Sequence, residues 1–528
     1  MSGARLPQVF LKLLGLVAPA VALTDAQRCV RLADTYIKNV HSLDTLYLPA
    51  NESYRVPASC GMGLGDDLLA QTSVNVCVVN VICNTSSTSA TRIEVWLPDA
   101  DAWYGRILGT GGGGLGGCVD YDNLKYGPSV HFATFGHDGG HDGTSGAAFA
   151  KSDEIVVDYA TRGLHVAAVT SKLLVRAYYG RPQDKAYYNG CSNGGRQGMR
   201  NAQDFPDDFD GILAGAPAFN FINLLAQSNI ANLASHKLSD DDWALVRTEV
   251  LRQCDGLDGL HDEIVSDPDA CQFLPEALLC EGEKRPDCLS LEQVEAVRTI
   301  HSPLYGDHGE LLAPRLDPGA ELDTLFWPLI FGPSFYLFGH EWWQYVVYND
   351  SSWEPSPDFG LKEIADAKKR DAQLPVDSFS PDLSAFRKRG GKLLTYHGSR
   401  DILIPSGTSL WYYQRVQRAL SLPPSAMDEF YRLFLVPGMS HCYMGAAASA
   451  WQIGQIGFSV WSNSSDSHAL FALVDWVEKG SAPETLRGST SVSVNTTVAT
   501  PSTRRHCKYP ARSVWKPDVQ DWSCVQFP

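Results

Sequence analysis

Basic side chains are in the minority: 43 Lys and Arg stand against 60 Asp and Glu, a formal net charge of −17 at pH 7. Nucleic acids and anionic membrane surfaces select for basic patches, so neither is expected as a partner. Beyond the first two dozen residues no apolar run is long enough to span a bilayer, so no membrane-spanning helix is expected. Internal repeats and long low-complexity tracts are lacking too, which argues against a repeat array. A glycine run at 111–117 lacks the G-x-G-x-x-G spacing, helix and distal acid of a dinucleotide site, and no organic cofactor is expected.

What is present describes a globular chain. With 528 residues, 44% hydrophobic and 20% charged, it can bury a large core and is long enough for more than one structural unit. Arg5 and Lys12 lie on the early side of an apolar run at 13–23, and Ala20-Val21-Ala22 offers small residues to a signal peptidase. Residues 1–22 are therefore expected to be a signal peptide cut after Ala22, with Ala20 as the alternative. The mature chain is expected to be secreted and extracellular. Thirteen Cys fit an oxidising compartment. Sequons at Asn51, Asn84, Asn349, Asn463 and Asn495 fit a glycosylated exported protein.

Strand and helix patterns alternate from about residue 93. Segments 93–98 and 106–110 read as strands, 153–162 as a helix, 164–169 as a central strand and 209–217 as another. This alternation predicts an α/β fold with a mostly parallel sheet covered on both faces. Upstream, Cys29, Cys60, Cys77 and Cys83 surround short apolar runs and suggest a disulfide-tied edge to the same domain. The loop His137-Asp138-Gly139-Gly140-His141-Asp142 is read as a polar loop near strand ends rather than a metal site. From 219 to 382 the pattern turns helical and irregular, with four Cys and many aromatics. Buried-strand signals return at 391–397 and 432–437. The simplest account is one catalytic domain in two parts, 23–218 and 383–528, interrupted by an inserted lid at 219–382.

Within the first part, Tyr187-Tyr188 reads as a strand end. Gly190-Cys191-Ser192-Asn193-Gly194 then fits G-x-S-x-G and runs into helix-compatible residues. Strand, sharp turn and helix are what a nucleophile elbow needs. A plain β-turn fits the pentapeptide alone equally well. Two loops after the returning strands supply partners: His397-Gly398-Ser399-Arg400-Asp401, and Pro437-Gly438-Met439-Ser440-His441-Cys442. The order Ser…Asp…His, each at the C-terminal end of a strand, is that of an α/β-hydrolase. Ser192 would be the nucleophile, His441 the base, and Asp401 the group that holds the imidazole tautomer. Backbone N–H groups of Asn193, Gly113 and Gly114 are the candidate oxyanion donors. His397 and His468 are rival bases and Asp382 a rival acid, but His397 falls within or at the end of a strand and Asp382 before one. Cys191 and Cys442 directly flank the serine and the histidine. A disulfide between them would fix the distance between two catalytic loops.

These motifs resemble the tannase/feruloyl esterase family of serine esterases. The resemblance rests on Gly190-Cys191-Ser192-Asn193-Gly194-Gly195-Arg196-Gln197-Gly198, on Phe205-Pro206-Asp207-Asp208-Phe209-Asp210-Gly211-Ile212, on Ala214-Gly215-Ala216-Pro217, and on the two loops that end in Asp401 and Cys442. It implies an α/β-hydrolase domain with an inserted lid and a Cys191–Cys442 bridge. It also implies a structural Ca²⁺ in the lid, held by Asp255, Asp258 and Asp262 and by the carbonyls of Leu260 and Ile264. Ca²⁺ takes six to eight oxygens, which a compact loop of this kind can offer. The same resemblance implies the pairs Cys29–Cys77, Cys60–Cys118, Cys254–Cys271, Cys280–Cys288 and Cys507–Cys524. Cys83 is left over, with the alternative that it replaces Cys77.

The implied substrates are feruloyl, p-coumaroyl and galloyl esters, as small phenolic esters or as feruloylated polysaccharide of the plant cell wall. The hydroxycinnamoyl reading is preferred narrowly; a tannase, or an esterase for other aromatic or short acyl esters, is the alternative. Lid aromatics Trp327, Phe331, Phe335, Tyr336, Phe338, Trp342, Trp343, Tyr345 and Tyr348 would either wall the acyl pocket or form the lid's own core.

Overall fold

The structure, a computed structural model, describes residues 23–60, 69–445, 451–455, 457, 460, 462–490 and 503–526. The expected signal peptide and the sequon at Asn495 lie outside the described residues.

Among the described residues the main sheet has nine strands: β1 Val40–Leu48, β2 Val76–Asn84, β3 Ala90–Pro98, β4 Arg106–Thr110, β5 Phe132–His137, β6 Lys185–Cys191, β7 Gly211–Gly215, β8 Lys392–Gly398 and β9 Tyr431–Val436. Their spatial order is β1-β2-β3-β5-β4-β6-β7-β8-β9. The pairs β1–β2, β2–β3 and β3–β5 are antiparallel, and the other five are parallel. Side chains alternate between two buried faces. Tyr188, Ile212, Leu393 and Leu433 enter one core, while Tyr187, Leu213, Leu394 and Phe434 enter the other. The first core is covered by helices α1 Gly163–Tyr179, α2 Asn193–Asp204 and α4 Gly407–Ala419, the second by α5 Ala469–Lys479. This is the mostly parallel, doubly covered α/β-hydrolase sheet that the strand pattern predicts.

One expected element is corrected. Residues 164–169 are not a strand; they lie inside α1. Leu164, Ala167, Ala168, Ser171, Leu174, Val175 and Tyr178 are buried, whereas Val169 and Leu173 are exposed. That is a 3.6-residue period, which shows only over the full 17 residues of the helix. A π-helical turn at Asp158–Arg162 joins α1 to the preceding helix Asp153–Val157, so no turn separates the two. Gly180 ends α1 in the left-handed region, at φ 72°, where a side chain would be strained.

After β7 the chain leaves the sheet and returns only at β8. Between them lie α3 Phe221–Ser235 and helices Asp240–Cys254, Leu291–Ile300 and Leu361–Asp371, packed around Trp243, Trp342, Trp343 and Phe359. The same core takes in Leu115, Phe149, Tyr159 and Ile402 from segments that flank sheet strands. The inserted segment therefore rests on the loops at the C-terminal edge of the sheet. None of the described helices is long and apolar enough to cross a membrane.

Six disulfides are formed: Cys29–Cys77, Cys60–Cys118, Cys191–Cys442, Cys254–Cys271, Cys280–Cys288 and Cys507–Cys524. Cys83 is a buried thiol, so Cys77 is the partner of Cys29. The Cys29–Cys77 bridge ties helix Asp25–Leu32 to β2, at the antiparallel side of the sheet. Asn51, Asn84, Asn349 and Asn463 are all exposed. The 137–142 loop is fastened to β3: Asp138 Oδ1 accepts from Thr91 Oγ1 and Arg92 N, and also from Gly140 N within the loop, at 2.8–3.0 Å.

Candidate active site

Strand β6 delivers Ser192. Tyr187 and Tyr188 are fully buried; the Tyr187 hydroxyl donates to Glu478 Oε1 at 2.8 Å and the Tyr188 hydroxyl to the Gly194 carbonyl at 2.7 Å. The chain then turns sharply. Ser192 has φ 63° and ψ −124°, a region that a side chain rarely occupies. The surrounding bonds hold it there: Ser192 N donates to Gly215 O at 3.0 Å, and Ser192 O accepts from Arg196 N and Ala218 N at 2.9 and 3.1 Å. Space dictates the flanking glycines. A Cβ on Gly190 would lie 2.7 Å from the Gly194 carbonyl carbon, and one on Gly111 would lie 2.7 Å from Gly194 Cα. The glycine run is thus pressed against the start of α2.

Asn193 is the first residue of α2, so its N–H has no acceptor within the helix and is available to an anion. Gly114, at φ 56°, lines the same cleft as Ser192, Asn193 and His441. Gly113 is absent from that lining, and a Cβ built on it would meet nothing within 4 Å.

The other two candidates stand on the loops after β8 and β9. Asp401 is fully buried and His441 nearly so, at 6% exposure. With its proton on Nδ1, His441 donates to Asp401 Oδ2 across 2.7 Å, which leaves Nε2 as the basic nitrogen. Asp401 Oδ1 accepts from the N–H groups of Leu403 and Ile404, both at 2.9 Å. Burial pushes the Asp401 carboxyl up. The charge of His441 and hydrogen bonds from His397 and His441 outweigh it, and the pKa falls well below the ordinary carboxylate range.

His397 is no rival base. Its Nδ1 meets Ser409 Oγ at 2.7 Å and its Nε2 meets Ile404 O at 2.9 Å, so it is a satisfied core histidine that also approaches Asp401 Oδ2 at 3.3 Å. His468 is buried elsewhere, against Tyr126 Oη at 2.7 Å. Asp382 lies before a short helix, exposed on the surface side of the chain, and accepts from Ser384 N.

The Cys191–Cys442 bridge joins the residues on either side, with Cα atoms 5.8 Å apart across 251 positions of sequence. Loop entropy assigns such a bridge about 5 kcal/mol. Its geometric effect is more direct, because it binds the loop of the nucleophile to the loop of the base. The inserted segment holds the base loop as well. Ser440 Oγ donates to Asp323 Oδ2 at 2.7 Å, and the Phe326 ring meets the His441 ring edge-on at 5.6 Å. Nothing in the sequence marks Asp323 or Phe326, since their contacts are 115 or more positions away.

Ser192 and His441 line one cleft. Its apolar walls include Phe221, Leu224, Leu225, Phe338, Leu403 and Ile404, with Leu115 and Ala218 beside them, and Tyr336 is the one phenol in the lining. Of the lid aromatics only Tyr336 and Phe338 reach the cleft; Trp327, Phe331, Trp342 and Trp343 belong to the core of the inserted segment. A second hollow lies between 266–269 and 511–513 and contains none of the three candidates.

The acidic loop of the inserted segment is braced by its own backbone N–H groups. Asp255 and Asp258 are buried, and Asp255 Oδ1 accepts from Asp262 N and Ile264 N, Asp258 Oδ1 from Leu260 N, and Asp262 Oδ1 from Ile264 N. One guanidinium, of Arg504, stands 3.6 Å from Asp258. Among the described residues no three His, Cys, Asp or Glu side chains converge as metal ligands. The donor set nevertheless fits a hard cation, because three carboxylates and the carbonyls of Leu260 and Ile264 lie within ten residues.

Known proteins resemble this chain over nearly its whole length. The profile of the family described as tannase and feruloyl esterase matches residues 76–319 and 352–526. A probable feruloyl esterase B-2 of Aspergillus oryzae is 39% identical over 514 residues, covering 94% of this chain and 95% of the relative. The crystal structure of feruloyl esterase B from Aspergillus oryzae superposes with a TM-score of 0.87 at 37% identity, over 95% of this chain and all of that one. Tannin acyl hydrolase from Aspergillus niger, at 23% identity and a TM-score of 0.76, covers 96% of this chain and 97% of its own and shares the fold. A strained serine after β6, a buried Asp–His pair at the neighbouring strand ends and a near full-length likeness agree: the chain belongs to the tannase and feruloyl esterase family.

Proposed function

We propose that the chain is a serine carboxylic ester hydrolase that cleaves hydroxycinnamoyl, feruloyl-type esters through an acyl-enzyme on Ser192. Ser192 Oγ attacks the ester carbonyl while His441 Nε2 takes its proton. The N–H groups of Asn193 and Gly114 hold the oxyanion. His441 returns the proton to the leaving alkoxide, and water, activated by the same nitrogen, then releases the acid and free Ser192.

The wall of the cleft carries the choice of acyl group. Eight aliphatic or phenyl side chains and one phenol face it. A galloyl ring bears three adjacent hydroxyls, and each one left without a partner costs about 1–3 kcal/mol. A feruloyl ring bears one hydroxyl and one methoxy group and suits a carbon-lined slot. The printed names of the A. oryzae relatives support the same choice. Hydrolysis of methyl ferulate and methyl gallate should differ by at least about 10²-fold in kcat/KM, in favour of ferulate. Equal rates, or a preference for gallate, would overturn this reading.

We infer further that the 255–264 loop holds a structural Ca²⁺ through Asp255, Asp258, Asp262 and the carbonyls of Leu260 and Ile264. When bound, the ion would neutralise crowded carboxylates and stiffen the loop; it takes no part in the ester chemistry. Protein purified without chelator should contain about one Ca²⁺ per chain, and EGTA should lower Tm while kcat at a permissive temperature is retained. Metal analysis that finds no calcium refutes the assignment. Six disulfides support an oxidising, extracellular working place, and feruloylated polysaccharide outside the cell as the substrate.

A further inference from the structure

Arg196 is the one feature of the elbow that the ester mechanism leaves unexplained. It is fully buried, four residues past Ser192 on α2. Its Nε donates to Asn193 Oδ1 at 2.8 Å, Nη1 to the carbonyls of Ala160 at 2.8 Å and Val376 at 3.2 Å, and Nη2 to the Tyr159 carbonyl at 2.9 Å. Every one of these acceptors is neutral. The guanidinium also lies 4.9 Å from the centre of the Tyr159 ring and 5.8 Å from that of Phe221. Packing alone does not call for this residue, because an apolar side chain of similar volume avoids the cost of desolvating a charge.

Tyr159 completes the arrangement. It belongs to the π-helical turn Asp158–Arg162, and turns of this kind recur at functional sites. Its carbonyl accepts from Arg196, and its hydroxyl donates to Gly114 O at 2.8 Å. One unit thus grips both sides of the cleft: Asn193 through its side chain, and Gly114 through its carbonyl.

We infer that Arg196 and Tyr159 are positioning residues for the oxyanion hole, a clamp that sets the Asn193 and Gly114 N–H groups at one spacing while Arg196 supplies an unneutralised positive charge behind them. This rests on the serine-esterase reading above. A tetrahedral oxyanion carries a full negative charge that the ground-state ester lacks. A fixed cation and fixed donors therefore act on the transition state more than on substrate.

The test uses the full chain and compares Tyr159→Phe, Arg196→Lys and Arg196→Gln with wild type. Four quantities are read: kcat and KM on methyl ferulate, the inhibition constant of phenylboronic acid, and the affinity for the neutral amide of ferulic acid. Phenylboronic acid becomes a tetrahedral anion on an active serine, whereas the amide stays planar and uncharged. Tyr159→Phe is expected to lower kcat about 10-fold and Arg196→Gln about 10²-fold, with KM and amide affinity unchanged. Phenylboronic acid should weaken by the same factors, and Arg196→Lys should recover part of the loss. Unchanged phenylboronic acid affinity overturns the clamp, and so does a fall in kcat matched by a rise in KM. If Arg196→Gln does not fold, Tyr159→Phe decides, because it removes one hydroxyl and leaves the ring. Substituting p-nitrophenyl acetate separates the two readings. A wild type inactive on every ester fails as an esterase, whereas variants as fast as an active wild type fail only the clamp.

Discussion

Replacing Ser192 with alanine is expected to lower kcat on methyl ferulate by about 10⁶-fold, to the residual rate that binding and the oxyanion donors alone provide. Few side chains in the chain are placed like this one. Ser192 sits at φ 63° at the end of a buried strand, beside a histidine whose other nitrogen is held by a carboxylate. Removing Oγ takes away the one protein atom in the proposed mechanism that bonds to the acyl carbon. The fold should not suffer, because the strained turn is held by backbone bonds to Gly215 O, Arg196 N and Ala218 N, which an alanine keeps. Tm should therefore stay within about 2 °C of wild type, as expected when no buried contact is lost. Mass spectrometry of wild type quenched during turnover should show a feruloyl adduct on the peptide carrying Ser192, and the variant should show none. Appreciable activity in Ser192→Ala would remove the nucleophile assignment and leave the family likeness without a mechanism.

The next largest loss is expected from Asp401→Asn, about 10⁴-fold in kcat with little change in KM. The amide oxygen can still accept from Leu403 N and Ile404 N. That turns the NH₂ group towards His441 Nδ1, where the carboxylate accepted at 2.7 Å. Two donors cannot face each other, so His441 moves its proton to Nε2 and can no longer accept from Ser192. A loss of under 10-fold would show that Asp401 does not set the tautomer. The same residue predicts a pH effect on stability. The folded pKa of Asp401 is depressed below its unfolded value of about 3.9, so its contribution is fully present above that value and is lost as pH falls through the folded value. The stability gap between wild type and Asp401→Asn should be largest near neutrality and should narrow steadily as pH falls below about 4. A gap that does not narrow between about pH 4 and about pH 2 contradicts this.

Local patterns made much of the fold legible. Strands at 93–98, 106–110, 211–215, 392–398 and 431–436 carry runs of apolar residues because both faces of the sheet are covered. The helix at 163–179 reads as a strand at 164–169 because those six residues, five of them Leu, Val or Ala, hold too little of the pattern. Its period appears only when exposed Val169 and Leu173 are set against buried Leu174 and Tyr178. The candidate triad was legible for a related reason. Each member follows directly on a readable strand, and Cys191 and Cys442 mark two of them.

What could not be read are the groups brought in from elsewhere. Asp323, which holds the base loop, Tyr159, which holds the glycine loop, and the cleft walls Leu224, Leu225 and Leu403 lie in segments with no motif. Nor did composition separate Tyr336 and Phe338, which face the cleft, from Trp342 and Trp343, which fill the core of the inserted segment.

By itself, then, the sequence determined the reaction type, the order of the reacting groups and the sheet that carries them, because each depends on short contiguous stretches with their own chemistry. Tertiary structure alone decided which side chains wall the acyl cleft and which pairs steady the oxyanion donors. Those contacts join residues tens to hundreds of positions apart, and no local preference of the chain encodes which distant side chain will arrive.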